Sequence, residues 1–240
     1  MSLAYVVTGA SRGLGLEFAN QLASKGHTVI ACARNPANAA GLQKLLEHKN
    51  VHAVTMDTTD LSSIKAAVEE MSEYAPQGID VLINNAGIGG EKSTRPENLL
   101  DTDLTTLFQT NVVGVSNVTK ELLPLLRLRG KDQVKKILNM SSIIGSIELV
   151  NQVTPKNGQP ACSISKAALN MYTRMLANNL AKENFIVYAS YPGWCATDLG
   201  GKNAPMKVKD SIVGQLAKLD SATAKDNGGF FDFRGKSLPW

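Results

Sequence analysis

The sequence predicts a single α/β domain built on a doubly wound parallel sheet of about seven strands, with helices on both faces. Three observations carry that expectation. Short β-rich runs alternate with longer helical stretches along the whole chain, the pattern of strand–helix–strand units that feed a parallel sheet. Hydrophobic residues make up 43% of the 240 residues but aromatics only 5%. The core must therefore be built from Val, Ile, Leu and Ala, the material of strands covered on both faces. No repeat, linker or low-complexity tract divides residues 1–240, and that length suits one α/β domain.

Taken in order, the first strand, Ala4–Thr8, begins almost at the N-terminus and runs into a glycine cluster that opens a helix, Leu14–Ser24. The second, Thr28–Ala33, is followed by a helical stretch at Asn38–His48. The third, His52–Thr55, precedes the helix Leu61–Tyr74, and the fourth, Val81–Asn84, ends in Asn84-Asn85-Ala86-Gly87. A long helix at Asp103–Leu128 leads to the fifth strand, Val134–Met140. The helix Ser163–Lys182, rich in Ala, Leu, Met, Asn and Lys, leads to the sixth, Phe185–Tyr191, and Gly229–Phe233 is the last. Two long loops, Ile143–Ala161 and Pro192–Met206, follow strand C-termini, where open α/β sheets bind ligands.

Charge and cysteine content narrow the functional classes. The net charge is +4, and the one denser basic stretch, Arg127 to Lys136, reads as a solvated helix end and loop. No aromatic-interleaved basic surface points to nucleic acid. The three cysteines, Cys32, Cys162 and Cys195, form no CxxC pair, so neither a disulfide framework nor a metal site is expected. No basic-then-apolar leader and no apolar run of membrane-spanning length is visible. The expected location is cytoplasmic, with no membrane partner.

Thr8-Gly9-Ala10-Ser11-Arg12-Gly13-Leu14-Gly15 lies between the first strand and its helix. Glycines there permit a tight turn, close approach of backbone to a pyrophosphate, and close helix–strand packing, while the helix start offers free N–H groups to phosphate. This is a Rossmann dinucleotide loop, with Gly9, Ser11, Arg12, Gly13, Leu14 and Gly15 as its cofactor-binding candidates. An NAD-specific site would place a carboxylate near Ala33 for the ribose 2′-OH; Arg34 stands next instead. Arg12 and Arg34 together suit a 2′-phosphate, so the expected cofactor is NADP(H).

These motifs resemble the short-chain dehydrogenase/reductase family over nearly the whole chain. Asp57 resembles the family's adenine-contacting acid, and Asn85, Ala86 and Gly87 belong to its NNAG motif. Asn111, Ser142 and Lys166 match the asparagine, serine and lysine of the catalytic tetrad. Pro192, Gly193 and Thr197 resemble the PG motif, whose threonine contacts the nicotinamide carboxamide. The ending Gly235-Lys236-Ser237-Leu238-Pro239-Trp240 is similar to the branch of C-factor and Sniffer-like carbonyl reductases. Ser141 competes for the serine role. The family's spacing to the next glycine favours Ser142, and side-chain alternation then turns Ser141 away.

One position departs from the family. Its motif is YxxxK, whereas here Cys162 stands four residues before Lys166 and no other tyrosine precedes a lysine by four. That spacing puts both side chains on one helix face. A thiol can donate a proton near a lysine, but its sulfur lies one bond from Cβ, and a general acid must come within about 3 Å of its acceptor. The ring volume left free would enlarge the pocket or admit water. Three readings follow. Hydride passes to an acceptor that needs little proton donation, an iminium being the cleanest case, or Ser142, Lys166 or water protonates an ordinary C=O. The protein binds NADP without turnover. Or the pocket hosts non-redox chemistry such as cyclisation, as in relatives of alkaloid pathways. As a nucleophile Cys162 lacks histidine support, because His27, His48 and His52 lie in the cofactor half.

Substrate identity must come from the two long loops. Ile143, Ile144, Ile147, Leu149, Val150 and Val153 are apolar, and Glu148 is the exception, either a cation-attracting wall or a plain exposed loop residue. Trp194 is a candidate aromatic wall. The expected partner is a largely apolar small molecule. The helices Asp103–Leu128 and Ser163–Lys182 resemble those that pair family members, which implies a homodimer or homotetramer.

Overall fold

A computed structural model describes residues 2–90, 95–153 and 158–240. Seven strands form one sheet: β1 (Ala4–Thr8), β2 (Thr28–Ala33), β3 (Val51–Thr55), β4 (Val81–Asn84), β5 (Lys135–Met140), β6 (Phe185–Tyr191) and β7 (Phe230–Asp232). Their order is β3-β2-β1-β4-β5-β6-β7, and every neighbouring pair is parallel. The helices are α1 (Gly13–Ser24), α2 (Ala40–Leu45), α3 (Leu61–Tyr74), α4 (Asp101–Phe108), α5 (Val115–Arg127), α6 (Val150–Val153), α7 (Pro160–Leu180) and α8 (Val208–Ser221). The chain order reverses between β1 and β4, which opens a crevice at the strands' C-terminal ends.

Alternation along the strands divides the core into two layers. Val7, Ile83, Leu138 and Tyr188 point to one face, where they meet Phe18 and Leu22 of α1 and Ile212 and Leu216 of α8. Their neighbours Val6, Leu82, Ile137 and Val187 point to the other, against Ile64 of α3, Leu122 and Leu126 of α5 and Leu180 of α7. This is the doubly wound α/β fold that the sequence predicts.

Several boundaries differ from the sequence expectation. β3 starts at Val51 rather than His52, β5 at Lys135 rather than Val134, and β7 spans Phe230–Asp232 rather than Gly229–Phe233. The expected helix Asn38–His48 shrinks to α2. It is preceded by a 3-10 turn, Pro36–Asn38, whose start is capped by the Asn35 side chain accepting from Asn38 N–H at 3.3 Å. The expected helix Asp103–Leu128 starts at Asp101 and is broken by a π-helical segment, Gln109–Gly114. Gly114 packs there against the Thr58 carbonyl, 2.6 Å from where a Cβ would stand. The helix expected at Ser163 begins at Pro160, where a proline loses no bond at the first helical position, so Cys162 lies inside its first turn. Residues 143–161 are not one irregular loop: they hold a 3-10 turn, Ile143–Gly145, and α6, and residues 154–157 lie outside the described residues. α8 was not expected from the sequence, although Ile212, Leu216 and Leu219 repeat at helical spacing and are buried.

Beyond β7 the chain turns back on itself. The Asp232 carboxylate accepts the backbone N–H of Arg234 and of Lys236, both at 2.9 Å. Ser237 bridges antiparallel to Phe231, and Leu238 N–H donates to Phe230 O at 2.8 Å. Trp240 then stacks on Phe230, with ring centroids 5.4 Å apart. Among the described residues no helix is long and apolar enough to cross a membrane.

Candidate active site

The glycine loop is shaped by backbone geometry and by β4. Gly9 and Gly13 have φ of +67° and +57°, a region that side-chain-bearing residues avoid. A Cβ on Gly9 would stand 2.9 Å from Ala86 Cα, and one on Gly15 would collide with the Gly9 carbonyl. Thr8 Oγ1 accepts the N–H of Asn85 and of Ala86, each at 3.0 Å, and Asn85 Nδ2 donates to Thr8 O at 2.9 Å. α1 starts at Gly13 with no side-chain cap. Its first N–H groups and positive dipole end are therefore available to an anion. Leu14 tucks partly against the first core layer, and Ser11 lies in the turn.

Arg34 is exposed at the end of β2. Asp57, just past β3, accepts from Thr59 N at 2.9 Å and Thr59 Oγ1 at 2.7 Å. Arg12 is engaged: its Nε lies 2.9 Å from Asp198 Oδ2. The loop after β6 thus reaches back over the glycine loop. Thr197 Cγ2 stands 3.4 Å from where a Gly13 Cβ would be, and Leu199 Cδ1 2.7 Å from the corresponding point on Gly89. Pro192 O accepts the Ser211 hydroxyl at 2.6 Å, and Gly193 has φ +84°. The Trp194 indole N–H donates to Gly200 O at 2.8 Å, so this half-exposed ring braces its own loop.

At the other end of the crevice, four elements converge. Asn111, fully buried in the π segment, accepts Ile88 N–H at 2.9 Å and donates to Ile88 O at 3.0 Å and Ser165 Oγ at 3.1 Å. The position of a Gly87 Cβ would be 3.1 Å from Asn111 Oδ1 and 3.6 Å from Lys166 Nζ. Lys166 donates to Met140 O at 2.8 Å. Burial holds its pKa below the usual lysine value, while the neighbouring Cys162 pulls the other way.

Cys162 is 7% exposed and packs with Leu107 and Ala161, against which Ile88, Leu99, Leu104 and Ile144 lie. Burial pushes its thiol pKa up, opposed by the Lys166 charge and the Gly90 backbone. The thiol therefore stays protonated near neutral pH. That surrounding is apolar, and the side chain sits in it as a small hydrophobe.

The paired serines divide. Ser142 is half-buried at the end of β5, and its Oγ caps the 3-10 turn by accepting Ile144 N–H at 3.4 Å. Ser141 is buried, and its hydroxyl donates to Asn170 Oδ1 at 2.6 Å. Asn170 also donates to Gly145 O at 3.2 Å, and a Cβ on Gly145 would be 2.8 Å from Lys166 Cβ. Asn170, one helical turn beyond Lys166, thus clamps the serine turn onto the helix that carries Lys166. Sequence reading missed it, though a polar residue at i+4 on the lysine's face was the available signal. Asp198 was missed as well. Gly87, Asn111, Cys162, Lys166 and Ser142 gather at one end of the crevice, and Arg34 and Asp57 stand at the strand ends of the other.

The family model for short chain dehydrogenase matches residues 4–207. Among curated relatives, "Short-chain dehydrogenase anuI" of Penicillium roqueforti (strain FM164) is 37% identical over 205 residues, 82% of this chain and 80% of that protein. "C-signal" of Myxococcus xanthus is 34% identical over 68% of this chain and 93% of its own. Among solved structures, an NADPH-bound carbonyl reductase from chicken fatty liver superposes with a TM-score of 0.93 at 32% identity, covering 100% of this chain and 99% of that one. Carbonyl reductase Sniffer of D. melanogaster gives 0.91 at 31% identity over the full length of both chains. With the glycine loop, the strand order and the site at the strands' C-terminal ends, these likenesses place the chain in the short chain dehydrogenase family, and it is an oxidoreductase of that family.

Proposed function

We propose that the protein uses NADPH to reduce a C=O or C=N (iminium) group of a largely apolar small molecule without a tyrosine acid. The buried, protonated Cys162, four residues before Lys166 where the family's motif has tyrosine, carries this reading. Asn111, Lys166 and Gly87 still converge beside it.

The residues fit the dinucleotide. Gly9, Gly13 and Gly15 leave a cradle that side chains would fill, and the uncapped start of α1 would receive the pyrophosphate. Arg12 and Arg34 take the 2′-phosphate, and Asp57 the adenine side. Asn85, Ala86 and Gly87 would line its path, and Pro192, Gly193 and Thr197 would hold the nicotinamide end. When bound, the cofactor supplies the hydride.

The chain's own residues bind, orient and exclude water. Lys166 holds the ribose and keeps a proton within the site, Ser142 hydrogen-bonds the substrate heteroatom, and Asn111 fixes the loop at Ile88. Cys162 contributes an apolar wall. A C=N acceptor arrives already protonated and leaves as a neutral amine, so it needs no acid. A ketone must draw its proton from Lys166, Ser142 or water, and turns over more slowly. Exposed Ile164, Met171 and Met175 along α7 support pairing with a second copy into a homodimer or homotetramer.

Two measurements test the reading. Fluorescence titration should show NADPH bound in strong preference to NADH, and the reverse preference would overturn the arginine assignment. A panel of imines and ketones should be reduced with a bias toward imines; NADPH bound but consumed with neither class would favour a cyclase-like or binding role.

A further inference from the structure

The motif Leu238-Pro239-Trp240 has no part in the chemistry above, yet it lands on the loop that leaves Ser142. The Glu148 backbone N–H donates to the main-chain oxygen of Trp240 at 3.0 Å. Trp240 is itself held by stacking on Phe230 and by the turn built on the Asp232 carboxylate. From the other end the same loop is tied by Asn170 to Gly145 O, and by Ser146 Oγ accepting Leu149 N–H at 3.2 Å. Immediately before the Gly145 tie stands Ile144, which packs against the cluster of Leu107, Ala161 and Cys162.

We propose that Trp240 is a positioning residue for substrate recognition: stacked on Phe230, it holds the Glu148 segment and thereby fixes the apolar wall that runs from Ile144 to Leu149. The physical reason lies at the tip of the loop, Ile147 and Glu148. Gly145 and Ser146 are buried, but Ile147 is 75% exposed and Glu148 is exposed, so burial does not hold the tip. The backbone hydrogen bond to Trp240, which is stacked on Phe230, adds a tie there, on the loop that leaves Ser142. Among the described residues no hydrogen bond or ring stacking joins Trp240 to the glycine loop or to Lys166, so the clasp acts on the acceptor and leaves the cofactor alone. The proposal rests on the reductase reading for its consequence in turnover, but not for its structural part.

Trp240→Ala and Trp240→Phe test both parts. Amide hydrogen exchange on the free protein, which requires no turnover, should accelerate at Glu148 and Leu149 by about tenfold or more in Trp240→Ala. In Trp240→Phe, which keeps a ring on Phe230, exchange should stay near the parent's rate. NADPH affinity should be the same in all three. With a bulky apolar acceptor, Trp240→Ala should raise KM about fivefold or more with kcat within about twofold, and the phenylalanine variant should restore it. Unchanged exchange at Glu148 overturns the clasp, and so does an exchange increase spread over the whole sheet. Accelerated exchange with KM unchanged overturns the specificity role. Absence of turnover in the parent with the exchange result intact counts against the reductase reading alone.

Discussion

Arg12 of the glycine loop and Asp198 of the loop after β6 form an ion pair 2.9 Å long across the mouth of the crevice. Both side chains are largely exposed, so the pair itself contributes at most about 1 kcal/mol. Its consequence is competition, because the guanidinium proposed to take the 2′-phosphate already has a carboxylate. Asp198→Asn should tighten NADPH binding about two- to fivefold at low salt, with the gain fading as ionic strength rises. NADH, which lacks the phosphate, should bind as before. Equal gains for both dinucleotides would show that Asp198 acts on the loop and not through Arg12.

Cys162→Tyr should separate catalysis from stability. A ring forced into the cluster of Leu107, Ala161 and Ile144 that Cys162 packs with should cost about 1–3 kcal/mol. Restoring a phenol beside Lys166 should raise ketone turnover about tenfold or more, the scale of general acid catalysis. Melting temperature and kcat should therefore move in opposite directions. If the parent already reduces simple ketones as fast as the variant, the thiol or another group supplies the proton efficiently.

The lowered pKa of Lys166 has a signed effect on stability. Between the lowered native value and the ordinary one of about 10.4, the unfolded chain binds the extra proton, so stability from this residue rises with pH across that window. Below the native value the buried charge is a constant burden. Lys166→Met removes both. The difference in urea midpoint between parent and variant should shift in the parent's favour as pH climbs from 7 toward 10. A difference that stays flat would mean that the ammonium is not held in a desolvated place.

Asn170→Ala strands the Ser141 hydroxyl and the Gly145 carbonyl, both of which it satisfies. The variant should lose roughly 1–3 kcal/mol per stranded buried group, read from denaturant midpoints. Turnover should fall with NADPH affinity unchanged, because the serine turn shifts while the glycine loop does not. A loss of NADPH affinity equal to the loss of turnover would place Asn170 in general folding.

Met171 and Met175 are 62% and 60% exposed on one face of α7, with Ile164 two turns before Met171. Met171→Glu with Met175→Glu should convert a dimer or tetramer to monomers on light scattering, leaving the melting transition of the monomer cooperative. A parent that is already monomeric at micromolar concentration would remove the pairing face from the proposal.

Much of this architecture was readable from residue order. Short apolar strand runs ending at Thr8, Asn84 and Met140 marked both the sheet and the crevice, because local turn chemistry and burial agree there. The glycine loop was equally plain, since close approach of backbone to backbone leaves glycine no substitute. What escaped depended on contacts between distant segments. The π segment at Gln109–Gly114 follows from packing on Thr58, 56 residues before Gly114 in the numbering, and nothing in its helical composition signals it. α8 escaped because its apolar residues are diluted by Lys209, Asp210 and Lys218. The Asp198 pair and the Asn170 clamp escaped too, since each joins segments whose relative path residue order does not determine.

The strand order also dictates a timetable. β1 is made first but lies between β2 and β4, and the hydroxyl of Thr8 meets its partner Asn85 77 residues later in the chain. A growing chain that has produced β1, β2 and β3 still has its phosphate loop without the neighbour that shapes it, and β1 keeps an open edge toward water. Such long-separation pairing is slow and leaves sticky intermediates. Dinucleotide affinity should therefore emerge late in biosynthesis, once β4 has docked, and nascent chains halted before Asn85 should depend on chaperones to stay unaggregated.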